Sequence, residues 1–170
     1  MRVSEANSRL LYQTLKDCGV RVVSSVPESW LVPVIRMIGE DPEMKLVQVA
    51  KEEEGVGISA GAHMAGVKSA MIVPNHGFLA AVNPIVSLAH LYKIPLMMFI
   101  AYRGAFGDTY PWHTPGGTVT EPLLQALRVP YTFLDSAGTL ERRVQDAQKL
   151  ADASLLPVAL LLKHELMMEA

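Results

Sequence analysis

The chain has little of several things that would classify a protein at a glance. It carries one cysteine, Cys18, in 170 residues, which excludes an internal disulfide and any multi-thiolate metal site and suits a reducing cytoplasm. Neither sign of charge is in excess: 15 Lys and Arg against 17 Asp and Glu leave a formal net charge of -2 and a pI near 6.2. That balance offers no basic footprint, so nucleic acid and anionic membranes are disfavoured as partners. Long hydrophobic runs are missing too. The longest, around Ile94 to Tyr102 and Leu155 to Leu162, fall far below the roughly 20 residues that span a bilayer. The opening residues MRVSEANSRLLYQTLKDCG alternate in helical fashion and lack the unbroken apolar stretch of a signal peptide. The expectation is a single soluble, cytoplasmic domain over residues 1–170, large enough to bury a real core.

Hydrophobicity, by contrast, is plentiful. Half of the residues are apolar, nine of them methionine, and the mean hydropathy is +0.23. A small domain has much surface to cover, so this surplus hints at apolar surface buried against another chain.

Periodicity divides the chain into alternating elements. Ser4 to Cys18 reads as an amphipathic helix stopped by Gly19, Val20 to Ser25 as a strand, Trp30 to Ile38 as a helix, and Lys45 to Ala50 as a strand. A helix over Glu53 to Ala65 and a strand over Ser69 to Pro74 follow. Phe78 to Tyr92 is apolar almost all round, which predicts a helix buried on several sides. Ile94 to Ala101 is continuously apolar, as a parallel strand buried on both faces should be. Tyr102 to Gly117 is rich in Gly, Pro and aromatics without any periodicity, and a loop of that length tends to be functional or disordered. Thr120 to Leu127 and Thr139 to Ala153 read as helices, Tyr131 to Leu134 and Pro157 to Leu162 as strands. The implied class is α/β: a doubly wound, six-stranded, mostly parallel sheet with helices on both faces. Ligands gather at the carboxyl ends of such strands. Those ends are Ser25 to Glu28, Lys51-Glu52, Asn75-His76-Gly77, Tyr102-Arg103-Gly104 and Lys163-His164.

One stretch organises the rest: Lys51-Glu52-Glu53-Glu54-Gly55-Val56-Gly57-Ile58-Ser59-Ala60-Gly61. Three carboxylates that open a helix are either a solvated first turn complementing the macrodipole or hold one buried carboxyl with a chemical task. Gly55-Val56-Gly57-Ile58-Ser59-Ala60 also fits the loose dinucleotide pattern G-x-G-x-x-A. A true fingerprint, however, starts directly after the strand and needs an acid about 20 residues on. Here the carboxylates intervene and would repel a pyrophosphate. His164-Glu165 opens like a zincin helix, but Met168 stands where the second histidine belongs, so no metal site is expected. Cys18 reads as core packing. Asn75-His76-Gly77 is open between a site and a plain turn with Gly77 at positive φ. Arg103 and His113 lie where placed polar groups can meet a ligand, or are simply solvated.

Taken together, Val26-Pro27-Glu28-Ser29, the Glu52 to Gly61 stretch, Asn75-His76-Gly77, Tyr92-Lys93-Ile94-Pro95-Leu96, and Tyr102-Arg103-Gly104 with Pro111-Trp112-His113 resemble the pyrimidine-binding domain of thiamine diphosphate (ThDP) enzymes. The likeness is greatest to the sulfopyruvate decarboxylase alpha subunits and the phosphonopyruvate decarboxylases. The resemblance implies a glutamate that hydrogen-bonds N1′ of the cofactor's aminopyrimidine within an E-x(8)-G pattern, which pairs Glu52 with Gly61; Glu53 is the alternative. Such a carboxyl works best when burial raises its pKa. Pro27, Asn75, His76 and Gly77 are the implied cofactor neighbours. Arg103, Glu28 and Ser29 are implied substrate binders, and His113 a proton-transfer or substrate-binding group beside Glu52. The family's second domain, which holds the diphosphate and Mg2+ through a Gly-Asp-Gly stretch, has no counterpart here, since Gly107-Asp108 runs on into Thr109. A separate beta subunit is therefore implied, with a small 2-oxo acid as substrate. The chain departs from the family pattern with His76 in Asn75-His76-Gly77, where serine is more usual, and with Tyr102 before Arg103, where tryptophan is. The competing expectations are a non-catalytic assembly or regulatory partner of the same fold, and a nucleotide-binding domain.

Overall fold

The computed structural model describes residues 2–169. Its sheet has six strands in the order β2-β1-β3-β4-β6-β5, with β1 Val20–Ser25, β2 Lys45–Gln48, β3 Lys68–Pro74, β4 Leu96–Ala101, β5 Tyr131–Leu134 and β6 Pro157–Leu162. All of the strand pairings are parallel. The neighbouring interior strands β4 and β6 are buried at each of their positions, which is why they read as unbroken apolar runs.

Alternation along the strands sorts the core into two layers. Ala70, Ile72, Met97, Phe99, Val158 and Leu160 face one side, where they pack with residues of α1 (Glu5–Asp17), α2 (Val32–Glu40) and α7 (Ala137–Ser154). Met71, Val73, Met98, Ile100, Ala159 and Leu161 face the other, against α3 (Glu53–Met64), α4 (Asn75–Ala80) and α6 (Thr114–Ala126). Odd and even positions diverge because successive strand side chains point to opposite faces. Helix α1 starts where Ser4 Oγ accepts the Asn7 N–H at 3.3 Å, an N-cap of the ordinary kind.

Three local expectations change. Phe78 to Tyr92 is not one helix: α4 is followed by a single turn, α5 (Val82–Pro84), and a π-helical segment, Ile85–His90. The break coincides with Pro84, whose missing N–H cannot continue an α-helical ladder. Nor is it covered on all sides. Phe78, Ala81, Ile85 and Ala89 face the core, but Val86, Leu91 and Tyr92 are exposed. Asn75-His76-Gly77 is the first turn of α4 rather than a plain turn, and Gly77 is not among the residues with positive φ. Finally, α6 begins at Thr114, six residues before the expected start, which shortens the loop after β4. A short helix, α8 (His164–Met167), ends the chain's regular structure. Among the described residues no helix is long and apolar enough to cross a membrane.

Candidate functional site

The order β2-β1-β3 means that the chain leaves β1 towards one side for β2 and returns to its other side for β3. A crevice at the carboxyl ends of β1 and β3 is the expected ligand position in such a sheet. Three segments converge there: Pro27-Glu28-Ser29 after β1, Glu52 after β2, and Asn75-His76-Gly77 after β3.

The three carboxylates at the start of α3 have separate surroundings. Glu54 turns back and accepts the Ala50 N–H at 3.1 Å. Glu53 is exposed, with Lys51 Nζ at 3.8 Å. Glu52 is half-buried and lies over Gly77: a Cβ at position 77 would sit 2.7 Å from Glu52 Oε1 and 2.8 Å from Cδ. Glycine at 77 is thus required by close approach, not by backbone conformation. The Glu52 side chain makes no hydrogen bond or ion pair among the described residues, while its backbone carbonyl accepts the Gly55 N–H at 3.0 Å. His76 is exposed, its ring resting on Gly116 of α6.

Asn75 is fully buried and ties the ends of β3 and β4 together. Its Nδ2 donates to the Arg103 carbonyl at 2.7 Å, and its Oδ1 accepts the Arg103 N–H at 3.1 Å. Arg103 in turn reaches across to the β1 loop. Nε donates to Glu28 Oε1 at 2.9 Å, Nη2 donates to Glu28 Oε1 and to Ser29 Oγ, and the guanidinium stacks 4.4 Å from the centre of the Trp30 ring. Glu28 is 4% exposed, and its other oxygen accepts the Trp30 N–H. Arg103 and Glu28 therefore compensate each other's charge, with Nη1 the guanidinium nitrogen that makes no hydrogen bond among the described residues. Pro27 is exposed and borders a mostly apolar cavity of about 420 Å³ with Ile35 and Leu46.

His113 is the N-cap residue of α6. Its Nδ1 lies 2.8 Å from Asp108 Oδ2. The Asp108 carboxylate is the polar residue that the sequence analysis gave no role, although its position five before His113 in a turn-rich loop was the available signal. Beyond the loop, the Tyr102 hydroxyl bonds Glu121 at 2.9 Å, and burial followed by that bond pushes it up to about 12. Lys163, at the end of β6, rests its ammonium 5.1 Å from the Tyr102 ring centre and 4.6 Å from that of Phe133. Among the described residues no group of three or more His, Cys, Asp or Glu could hold a metal ion.

Residues 6–110 match the family described as thiamine pyrophosphate enzyme, N-terminal TPP binding domain. The chain belongs to this family. The TPP-enzyme N-terminal domain described here is 33% identical over 162 residues to the sulfopyruvate decarboxylase subunit alpha of Methanococcus maripaludis, covering 95% of each chain. It is 34% identical over 156 residues to the corresponding subunit of Methanothermobacter thermautotrophicus, covering 92% of this chain and 94% of that one. The fold also recurs in the X-ray structure of a candidate thiamin diphosphate-dependent enzyme from Mycobacterium smegmatis, with a TM-score of 0.72 at 16% identity. The match covers 96% of this chain and 31% of that longer one. This TPP-enzyme domain is accordingly a ThDP-binding domain related to decarboxylase alpha subunits.

Proposed function

We propose that this chain is the alpha subunit of a split, cytoplasmic ThDP-dependent decarboxylase. It would act on a 3-substituted pyruvate, such as sulfopyruvate or phosphonopyruvate, to give an aldehyde and CO2. The observation that carries the reading is Glu52: a half-buried carboxyl at the carboxyl end of β2, without a protein hydrogen-bond partner among the described residues, with Gly77 cleared to receive it. A carboxyl in that state suits a ring nitrogen with which it can share a proton. The fit to the aminopyrimidine end of ThDP is supported by this donor chemistry and by the cradle that a Cβ at 77 would fill. Glu53, exposed beside Lys51, lacks both features.

When bound, ThDP supplies the carbon nucleophile and the electron sink of the decarboxylation. This chain's residues have other tasks. Glu52 holds and returns a proton at the aminopyrimidine N1′. Pro27, Asn75, His76 and Gly77 would hold the aminopyrimidine end, with Asn75 fixed in place because both of its amide atoms are committed to Arg103. Arg103, oriented by Glu28 and Ser29, offers Nη1 to an anionic end of the substrate. His113 handles a proton on the substrate side.

A separate beta subunit that holds the diphosphate and Mg2+ completes the site in this reading. Two observations support it. The chain and the sulfopyruvate decarboxylase subunit alpha of Methanococcus maripaludis cover 95% of each other, and that relative is named as one subunit. It also exposes large apolar side chains, Met64 at the end of α3 and Val86, Leu91 and Tyr92 in and just after the π-helical segment, all 48% exposed or more, and exposed apolar surface is a feature of interfaces. Native mass spectrometry of the complex purified from its source organism in ThDP and Mg2+ tests the reading. A second chain of comparable mass with bound ThDP, followed by aldehyde and CO2 release from a 3-substituted pyruvate, is the expected result. A lone chain or homo-oligomer without ThDP would overturn it in favour of a non-catalytic role.

A further inference from the structure

The loop between β4 and α6 is built around one carboxylate. Asp108 Oδ2 accepts the Gly104 N–H at 2.8 Å and lies 2.8 Å from His113 Nδ1, while Oδ1 accepts the Tyr110 N–H at 2.9 Å. The backbone groups can only donate, so Asp108 serves as acceptor on both oxygens. Burial would raise its pKa, but the Tyr110 and Gly104 N–H groups and the His113 ring prevail and hold it below the ordinary carboxylate value. An ionised carboxylate has no proton to give. The neutral imidazole must then present Nδ1–H to Asp108 and keep its lone pair on Nε2, which makes no hydrogen bond among the described residues.

The ring's direction is fixed as firmly as its tautomer. Tyr110 stands edge-on at 5.3 Å and Trp112 at 5.9 Å, and the His113 N–H is bonded to the Tyr110 carbonyl. Gly104, at φ +74°, lies so close to the His113 carbonyl that a side chain there could not be accommodated. The loop therefore closes on itself with His113 14% exposed at its rim. The charged groups facing Asp108 from elsewhere are Lys163 and Glu165, with His164 between them, around a cavity of about 120 Å³.

We propose that Asp108 is a positioning residue for His113: it fixes the Nδ1–H tautomer and aims Nε2 outward as the atom that exchanges a proton with substrate. The inference rests on the proposed role of His113. An arrangement of this kind decides which nitrogen does the chemistry, because the bond at one ring nitrogen sets the state of the other.

Asp108→Asn and Asp108→Ala are the discriminating changes. Three donors meet two acceptor oxygens, and an amide has only one. If its NH2 takes the Oδ2 place it opposes the Gly104 N–H and donates to Nδ1, moving the ring proton to Nε2; if it takes the Oδ1 place it opposes the Tyr110 N–H. The test is a long-range 1H–15N spectrum of the full chain labelled with 15N-histidine, His113 being assigned by its loss in His113→Gln. The wild-type chain is expected to show the Nδ1–H form; Asp108→Asn shifts it towards Nε2–H in the first arrangement, and Asp108→Ala, which leaves Nδ1–H no acceptor, shifts it whichever way the amide turns. In the assembled complex kcat should fall for Asp108→Asn with KM held, by less than the roughly 10²–10⁴-fold that a lost acid–base group costs. An Nε2–H wild-type ring, or a spectrum unmoved by both Asp108→Asn and Asp108→Ala, would overturn the positioning role. Full turnover by His113→Gln would instead remove His113 from the reaction, and with it the purpose of the pair.

Discussion

Two carboxylates near the carboxyl edge of the sheet meet opposite fates. Asp108 accepts from two backbone N–H groups and faces a histidine nitrogen, so its bonding is completed inside its own loop. The Glu52 carboxylate packs over Gly77 with no bond to a protein group among the described residues. A carboxylate that bonds no protein group keeps its acceptor oxygens for water or a ligand. The difference separates two kinds of residue: Asp108 has its bonds completed and holds a shape, while Glu52 has a carboxylate left free, as the proposed cofactor contact requires.

The contrast breaks most readily at Glu52. Glu52→Gln keeps the shape and removes the proton, and it severs no protein hydrogen bond. In the assembled complex, turnover should fall by about 10²–10⁴-fold, the usual weight of an acid–base group, while the complex seen by native mass spectrometry stays whole. Glu53→Gln is the matched control and should leave turnover near wild type. Equal losses from both variants would mean that the three carboxylates act only as a charged helix start.

Gly77→Ala sharpens the same point from the other side. The added methyl would lie 2.7 Å from Glu52 Oε1, so either Glu52 or α4 must move, and overpacking of this kind costs about 1–3 kcal/mol. The expected result is a lower Tm together with impaired ThDP binding by isothermal calorimetry on the complex. A variant with wild-type Tm and ThDP affinity would show that Glu52 does not need that clearance.

Most of the architecture was legible because parallel strands are buried on both faces. Pro157–Leu162, buried throughout, and the β-branched Val20–Ser25 coincide with the expected bounds, and so does the partly exposed edge strand Tyr131–Leu134, whose Tyr, Thr and Phe suit a pleated sheet. Where local composition pointed one way and packing the other, packing prevailed. Thr114-Pro115-Gly116-Gly117 reads as loop, yet it forms the first turn of α6 because Gly116 sits beneath His76, and Gly117 against the Arg103 and Gly104 carbonyls. Pro115 is tolerated at that helix start, where a missing N–H removes nothing. Similarly, Asn75-His76-Gly77 has turn composition but opens α4. The site was legible as a set of strand ends and opaque in its pairings. That Glu28 would neutralise Arg103, and that Asp108 would turn back to His113, depends on loops folding across the sheet edge, which no periodicity encodes.

A third carboxylate extends the comparison to a place remote from the strand ends. Asp41 joins α1 to the loop after α2: its Oδ2 accepts from Lys16 Nζ at 2.8 Å and from the Tyr12 hydroxyl, and its Oδ1 from the Glu43 N–H at 2.8 Å. Lys16 above all, then Tyr12 and the Glu43 N–H, hold its pKa down to about 2. The side chain is 2% exposed, so the bonds are shielded from solvent, while Glu43 shares the Lys16 ammonium at the rim. A carboxylate whose folded pKa lies below its unfolded value of about 3.9 stabilises the fold above that value. The stabilisation is lost as pH falls from about 4 towards about 2. Urea midpoints for wild type and Asp41→Asn should therefore differ most at neutral pH, with the wild type higher, and converge as pH approaches 2. If Asp41 is saturated in the way Asp108 is, this variant lowers stability and leaves kcat and KM of the assembled complex unchanged. A gap in urea midpoint that is independent of pH would mean that Asp41 contributes through packing rather than through its charge.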